Sequence, residues 1–264
     1  MKTVVIGYGN MGKIYARSLV KHGLSFPEEV FLVRRNTSSI QSKFRSIAFS
    51  DPLFAEAEMI LLCVKPQDYP ALADDLQKNI QREQILVSVM AGITIERLVK
   101  DLKHSIVFRA MPNAPIDLGM GMTGFCASSE VTMDQVRKVE QVLSTTGRTI
   151  FFSDEEKMDA VTALSGSGPA YFYYIVNAMV KAGIEIGLND HQSRMMVKQT
   201  MLGAFHLLNG SDQEIDELIA TVASKGGTTE AALRVFKKGR LEETIIDGIK
   251  SARARGKELS QSSL

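Results

Sequence analysis

Short apolar runs alternate with helix-like segments through the first half of the chain. The apolar runs cover residues 3–6, 30–33, 59–64, 85–90 and 106–110. Runs of this length are typical of buried strands, and the segments between them favour helices, such as one from about Met11 to His22 that Gly23 ends. Because uniformly apolar strands must be covered on both faces, the alternation predicts an α/β fold built on a parallel sheet.

The same alternation continues beyond these runs. Thr94 and Thr132 are expected to cap helices, the second of them through a capping box. Further strands are predicted over residues 122–127 and 149–152. The proline-rich stretch at residues 109–115 is expected to end the strand that precedes it, because proline cannot donate to a strand ladder.

Helices dominate after about Ser153. Two are predicted over residues 154–164 and 190–209, and another begins at Gly168 with Pro169 in its first turn. Three more begin at a capping box over residues 211–214, after Thr229 and after Leu241. We therefore expect two domains, an α/β domain over residues 1–153 and an all-helical domain over residues 154–264.

The composition describes a soluble globular protein. Of 264 residues, 45% are hydrophobic and 23% are charged, and the formal net charge of +1 gives no electrostatic reason to expect nucleic acid or an acidic membrane as a partner. Cys63 and Cys126 fall in apolar, strand-like segments, so we interpret them as buried reduced thiols of a cytoplasmic protein, and no metal site is expected. No signal peptide is visible, and the apolar run over residues 170–180 is too short to span a bilayer.

A glycine-rich turn joins the first predicted strand to the first predicted helix. Its sequence is Gly-Tyr-Gly-Asn-Met-Gly. The first glycine of such a turn permits a tight bend, the second lets a pyrophosphate approach, and the third lets the helix pack on the strand. The pattern predicts a dinucleotide site at Gly7, Gly9, Asn10, Met11 and Gly12. A purely structural strand-to-helix turn is the alternative.

The end of the second predicted strand indicates which dinucleotide is bound. An NAD site usually has an acidic residue here for the ribose 2′-hydroxyl, but in this chain Arg34 and Arg35 follow Val33. Two guanidinium groups suit a 2′-phosphate, so NADPH is the predicted cofactor, with NADH as a possible substitute. Ordinary solvent-facing arginines would also account for the pair.

Three more turns follow strands on the same side of the predicted sheet. Ligands of open α/β sheets bind beyond the carboxyl ends of the strands. We therefore expect further cofactor contacts from residues at these ends, namely Val64, Lys65, Pro66, Ala91, Gly92 and Asn113. A structural turn would explain each position alone, but their recurrence at one sheet edge favours a site.

A second glycine loop lies far along the chain, where Ser-Lys-Gly-Gly-Thr-Thr occupies residues 224–229 and leads into a helix. Its two glycines free the backbone, and the first turn of a helix leaves its N–H groups without intrahelical partners. Such a helix start suits a small carboxylate, with two threonine hydroxyls beside it. An ordinary threonine-capped helix is the alternative.

Taken together, these motifs resemble those of the pyrroline-5-carboxylate reductases. The resemblance rests on the two glycine segments, on residues 64–67, on Met-Pro-Asn-Ala-Pro at residues 111–115 and on residues 159–171, and it spans essentially the whole chain in order. It implies a Rossmann-type domain followed by a helical domain for substrate binding and dimerisation, and hence a homodimer or a higher oligomer of dimers. It also implies NAD(P)H-dependent reduction of 1-pyrroline-5-carboxylate to L-proline, the last step of proline biosynthesis.

The resemblance assigns the imino acid to the second glycine loop. It implies that Ser224, Gly227 and Thr228 hold the substrate carboxylate, with Gly226 in the same loop, and that Thr229 is the candidate catalytic residue beside the ring nitrogen. Reduction of a cyclic imine needs a hydride on carbon and a proton on nitrogen, and the imine can take its proton from water before it binds, so catalysis is chiefly positioning. The four histidines show no catalytic constellation and are interpreted as surface or cap residues.

The chain departs from the family pattern at two positions and has two rival functions. Lys225 stands where family members usually have proline, and Ala114 where they usually have threonine. Because of these changes, a non-catalytic nucleotide-binding sensor is one alternative function. A 3-hydroxyacid-dehydrogenase-like oxidoreductase is the other alternative, but those enzymes have a catalytic lysine at the position that Phe172 occupies here.

Overall fold

The structure is a computed structural model that describes residues 1–33 and 42–261. The chain forms two compact units, one made of Met1–Gly168 with the chain from Ala252 onward, and one made of Pro169–Ser251. The first unit contains the sheet and the second is helical, so the expected α/β and all-helical parts are confirmed.

In the part of the first unit that the structure describes, eight strands form one sheet. They are β1 (Thr3–Ile6), β2 (Val30–Val33), β3 (Arg45–Ser46), β4 (Met59–Leu62), β5 (Ile85–Ser88), β6 (Val107–Pro112), β7 (Gly121–Ala127) and β8 (Gly147–Phe151). Their order across the sheet is β3-β2-β1-β4-β5-β6-β7-β8. The six strands from β3 to β6 in this order are parallel to one another, so their carboxyl ends share one edge of the sheet.

One strand pair departs from the all-parallel sheet that the sequence predicts. β6 and β7 are antiparallel, with Pro112 opposite Thr123. The segment between them, residues 113–120, is shorter than the dozen or so residues that a parallel crossover needs. β6 also continues through Pro112, although the proline-rich stretch predicts an earlier end. Proline is tolerated there because β5 pairs with β6 only as far as Arg109.

Helices cover both faces of the sheet, as the sequence predicts. They are α1 (Asn10–Lys21), α2 (Pro52–Ala55), α3 (Pro70–Asn79), α4 (Ile95–Leu102), α5 (Met133–Ser144) and α6 (Lys157–Val161). Val5 and Leu61 belong to one buried apolar cluster, whereas Val4 and Ile60 belong to the other. Because neighbouring residues of each strand face opposite covered sides, the central strands are mostly apolar on both faces. Thr94 and Thr132 cap α4 and α5 as predicted.

After α6 the described residues form five further helices, namely α7 (Gly168–Glu185), α8 (Asp190–Asn209), α9 (Ile215–Val222), α10 (Thr228–Lys238) and α11 (Leu241–Gln261). The helix predicted over residues 154–164 is instead α6 followed by a π-helical turn, Thr162–Gly166. The capping box predicted at residues 211–214 is wrong, because Ser211 Oγ accepts a hydrogen bond from Gln213 N and α9 begins only after Glu214. The functional domain boundary after residue 153 stays a prediction.

Candidate active site

The glycine turn at residues 7–12 follows β1 and leads into α1. Gly7 has a φ of 90°, and its N–H donates a hydrogen bond to the Val33 carbonyl oxygen at 3.0 Å. A Cβ atom on Gly7 would lie 2.7 Å from Val64 Cγ1, and one on Gly12 would lie 2.0 Å from the Gly7 carbonyl oxygen. Both positions therefore require glycine, the first for its positive φ and the second for close packing of the helix on the strand.

The start of α1 is open to a ligand. Gly9 is its N-cap, no side chain caps it, and its first turn has no acidic residue. A Cβ atom on Gly9 would meet no atom within 4 Å. The N–H groups of Asn10, Met11 and Gly12 begin the helix and so have no intrahelical acceptor. This arrangement fits the pyrophosphate of a dinucleotide, because a helix N-terminus attracts negative charge.

Two neighbouring strands end at the same edge as the glycine turn. β4 is parallel to β1 and is followed by Val64, Lys65 and Pro66, and β5 is parallel to β4 and is followed shortly by Ala91 and Gly92. The structure therefore places all five predicted residues at the sheet edge that carries the turn. Their contacts with a cofactor remain a prediction.

Asn113 lies just after β6 and is held by both ends of its side chain. Its Oδ1 accepts a hydrogen bond from Met122 N at 2.9 Å, and its Nδ2 donates to Ser165 Oγ at 3.3 Å. A Cβ atom on the next residue of the π-helical turn, Gly166, would lie 2.8 Å from Met111 Cε. The Asn113 side chain thus ties the proline-rich loop to β7 and to the π-helical turn, a positioning role that the sequence does not reveal.

Arg109 forms a buried charge cluster that sequence reasoning missed. The side chain is 5% exposed, and its Nη1 lies 2.8 Å from Glu155 Oε1 while its Nη2 lies 3.5 Å from Asp159 Oδ1. Glu155 Oε1 also accepts a hydrogen bond from Ile95 N at 2.9 Å, at the start of α4. The cluster therefore joins β6 to the segment that leads from Ala91 into α4. A charged residue inside an apolar strand is the sequence signal that could have revealed it.

The last turn of α11 packs against the same region. Ser260 is buried, and its Oγ donates a hydrogen bond to Asp159 Oδ1 at 3.2 Å. A Cβ atom on Gly92, whose φ is 76°, would lie 3.6 Å from Leu259. The end of α11 thus covers Gly92, one of the residues predicted to border the cofactor.

The second glycine loop forms a tight turn before α10. Gly227 N donates a hydrogen bond to the Ser224 carbonyl oxygen at 3.0 Å, and Gly226 has a φ of 74°, the geometry of a type II turn. Gly227 is the N-cap of α10, and no side chain caps the helix. The threonine-capped alternative is therefore wrong, because Thr228 and Thr229 are already inside the first turn. Their N–H groups have no intrahelical acceptor, which suits an anion.

Ser224 and Glu230 complete this loop. A Cβ atom on Gly227 would lie 2.6 Å from Ser224 Oγ, so the serine side chain sits where only glycine leaves room for it. Glu230 Oε2 accepts a hydrogen bond from Gly226 N at 2.6 Å. Glu230 is a site residue that the glycine and threonine pattern does not reveal, although a glutamate in the third position of a helix commonly reaches back to the preceding backbone.

Other titratable groups lie outside these clusters. His104 is buried, its Nε2 lies 2.8 Å from the Gln84 carbonyl oxygen, and burial lowers its pKa. The interpretation of all four histidines as surface or cap residues is therefore wrong for His104. Within residues 1–33 and 42–261, no cluster of three or more His, Cys, Asp or Glu side chains is placed to hold a metal ion. Over the same ranges, none of the helices has the length and apolar character needed to cross a membrane.

The two cysteines should be unreactive in the folded protein. Both are free thiols, Cys126 buried and Cys63 partly buried, so the prediction of a buried thiol is confirmed for Cys126. Loss of solvent raises the pKa of each thiol to about 12. A solvated thiol has a pKa of about 8.5 and reacts as its thiolate. At about pH 8 we expect both thiols to react with a disulfide reagent far more slowly in the native protein than in denaturant. Rapid native labelling of either cysteine would contradict the raised pKa values.

Comparisons with known proteins identify relatives of both halves of the chain. A family model described as pyrroline-5-carboxylate reductase dimerisation matches residues 155–259, and one described as NADP oxidoreductase, coenzyme F420-dependent, matches residues 2–92. Among solved structures, a pyrroline-5-carboxylate reductase from Coxiella burnetii is 29% identical with a TM-score of 0.88, and 98% of each chain is covered. A Plasmodium falciparum pyrroline carboxylate reductase with NADP bound shares the fold at 24% identity, with a TM-score of 0.87 and 98% coverage of each chain.

Curated relatives match over nearly the full length. Pyrroline-5-carboxylate reductase 2 of Bacillus subtilis is 32% identical, over 97% of this chain and 94% of the relative. The pyrroline-5-carboxylate reductase of Haemophilus influenzae is 35% identical, over 96% of each protein. Identity of this extent shows common descent and not merely a shared fold. The chain belongs to the pyrroline-5-carboxylate reductase family.

Proposed function

We propose that this protein reduces 1-pyrroline-5-carboxylate to L-proline with NADPH, as the last step of proline biosynthesis. The observation that carries the proposal is the loop before α10. A type II turn with glycines at residues 226 and 227 leads into a helix start that no side chain caps, beside two threonine hydroxyls. Such a start is complementary to the carboxylate of a small imino acid. Family membership supports the same substrate.

The cofactor site is proposed at the carboxyl edge of the sheet. The open start of α1 beside Gly9 would hold the pyrophosphate, and the segments after β4 and β5 would border the rest of the dinucleotide. Arg34 and Arg35, the predicted partners of a 2′-phosphate, lie outside the described residues. When bound, NADPH supplies the hydride, and the role of the protein is to position the cofactor and the imine for its transfer.

The imino acid is proposed to bind through its carboxylate. The N–H groups of Gly226, Thr228 and Thr229 and the Ser224 hydroxyl would surround the carboxylate, at the turn that the Gly227 N–H closes. The Thr229 hydroxyl oxygen would accept a hydrogen bond from the N–H of the protonated ring nitrogen. No strong acid is needed, because the imine carries its proton when it binds.

The assay that tests the proposal is NADPH oxidation in the presence of 1-pyrroline-5-carboxylate. Steady catalytic turnover is expected, with NADPH preferred over NADH. Cofactor binding without turnover would instead support the nucleotide-binding sensor. Turnover of a 3-hydroxyacid in its place would support the dehydrogenase alternative. This chain has Phe172 where those enzymes have their catalytic lysine, and the Phe172 ring packs edge to face on that of Phe205 at 5.6 Å between centroids.

Replacing Thr229 with alanine should lower kcat more than it raises KM. The substitution removes one hydroxyl at the proposed nitrogen end, and a single such hydrogen bond is worth about tenfold in rate. Thr221→Ala in α9 is the matched control, because Thr221 Oγ1 donates only to the Leu218 carbonyl oxygen of its own helix. Full activity of Thr229→Ala would remove this hydroxyl from the mechanism.

A homodimer is proposed as the working form, either alone or within a larger assembly of dimers. The helical unit leaves large apolar side chains exposed, with Tyr174 78% and Ile186 80% accessible to solvent. Exposure on this scale is expected of a surface that a second subunit covers. Light scattering at micromolar concentration should give at least twice the 29.1 kDa chain mass. A monomeric mass would contradict the proposal.

A further inference from the structure

The Glu230 carboxylate already occupies one amide of the proposed substrate loop. Its Oε2 accepts a hydrogen bond from Gly226 N at 2.6 Å. Glu230 is the third residue of α10 and is half-buried, so its side chain folds back over the turn that precedes the helix. The chain thus places a carboxylate of its own where the proposed function requires the carboxylate of the imino acid.

Helix capping alone would explain a glutamate at this position, and α9 supplies the comparison. Glu217 is the third residue of α9, and its Oε2 accepts a hydrogen bond from Glu214 N, the N-cap residue, at 3.2 Å. Glu230 instead reaches past the N-cap Gly227 to Gly226. Its bond is therefore to the glycine loop itself and not to the residue that caps the helix.

We propose that Glu230 is an internal competitor that sets the affinity of this loop for carboxylate ligands. The inference rests on the proposed function of the loop. An incoming carboxylate that takes the Gly226 N–H must displace Glu230, because one N–H cannot donate fully to two carboxylates. The displaced side chain remains close to the bound anion, and like charges repel. Glu230 thereby weakens the binding of every carboxylate ligand at the loop, the substrate and the product included.

The test compares Glu230→Gln with Glu217→Gln. Glutamine keeps the size of the side chain and an acceptor oxygen but removes the charge, so both variants retain a helix-capping group. We expect Glu230→Gln to lower KM for 1-pyrroline-5-carboxylate by about threefold to tenfold at similar kcat. We expect Glu217→Gln to leave KM unchanged. Melting temperatures of the two variants should shift by similar small amounts, because both side chains bond to backbone before a helix.

The outcomes separate this inference from the proposed function. An unchanged or higher KM in Glu230→Gln would overturn the inference while turnover of the wild-type protein upheld the function. Absence of wild-type turnover would defeat the proposed function, and L-proline titrated into the protein with NADP⁺ would then decide the inference. Tighter L-proline binding by Glu230→Gln would support it. Equal or weaker binding, or no binding to either protein, would overturn it.

Discussion

Replacing Gly9 with alanine should abolish tight NADPH binding while the protein stays fully folded. Gly9 has φ of −78° and ψ of −160°, which alanine adopts without strain, and a Cβ atom there meets nothing within 4 Å. In the complex, however, the added methyl group would stand where the pyrophosphate approaches the start of α1. The dissociation constant for NADPH should rise about a hundredfold, or about 3 kcal/mol, as titration of NADPH fluorescence would measure. The melting temperature of the free protein should not change.

Gly12→Ala provides the contrast. Its Cβ atom would lie 2.0 Å from the Gly7 carbonyl oxygen and 3.1 Å from Val5 Cγ1, so α1 would have to move away from β1. We expect this variant to lose both NADPH affinity and thermal stability, with about 1–3 kcal/mol of destabilisation from overpacking. NADPH affinity near that of the wild type in Gly9→Ala would show that the cofactor does not use this helix start.

The sheet was predictable because burial on both faces leaves a direct trace in the sequence. β4 is apolar at every position and β1 at every position after Thr3, since neighbouring residues enter opposite cores. The antiparallel pair β6 and β7 was not predictable from the same trace, because both strands are also apolar. Its direction follows from the length of the connecting loop, and the strand end predicted before Pro112 makes that loop longer than it is.

Some residues of the candidate site could likewise be predicted from the sequence, and others could not. Gly7, Gly12 and Gly227 could be identified because they meet steric limits that only glycine satisfies, and such limits leave a fixed residue type in the sequence. The partners of Arg109 could not be identified, because Glu155 and Asp159 approach it only through the fold. The same holds for Glu230, whose hydrogen bond to Gly226 depends on the turn geometry. A single sequence shows local steric needs more readily than pairings over a distance.

Replacing Gly227 with alanine should abolish efficient use of the substrate without affecting the cofactor. The residue has a φ of −84°, so alanine meets no backbone strain there, but its Cβ atom would lie 2.6 Å from Ser224 Oγ and 3.0 Å from the Ser224 carbonyl oxygen. The Ser224 hydroxyl must then move out of the loop, and the turn that positions the α10 N–H groups must open. We expect KM for 1-pyrroline-5-carboxylate to rise about a hundredfold, because several hydrogen bonds to one carboxylate are lost together.

Two controls make this prediction specific to the loop. NADPH affinity of Gly227→Ala should equal that of the wild type, because the cofactor site is built on the other compact unit. Lys225→Pro should act in the opposite direction, since proline favours the second position of the type II turn and restricts the free loop. Its KM should be equal to or below that of the wild type. Wild-type kinetics in Gly227→Ala would mean that the imino acid is held elsewhere, because no carboxylate could engage the turn and helix start unchanged while Ser224 is displaced.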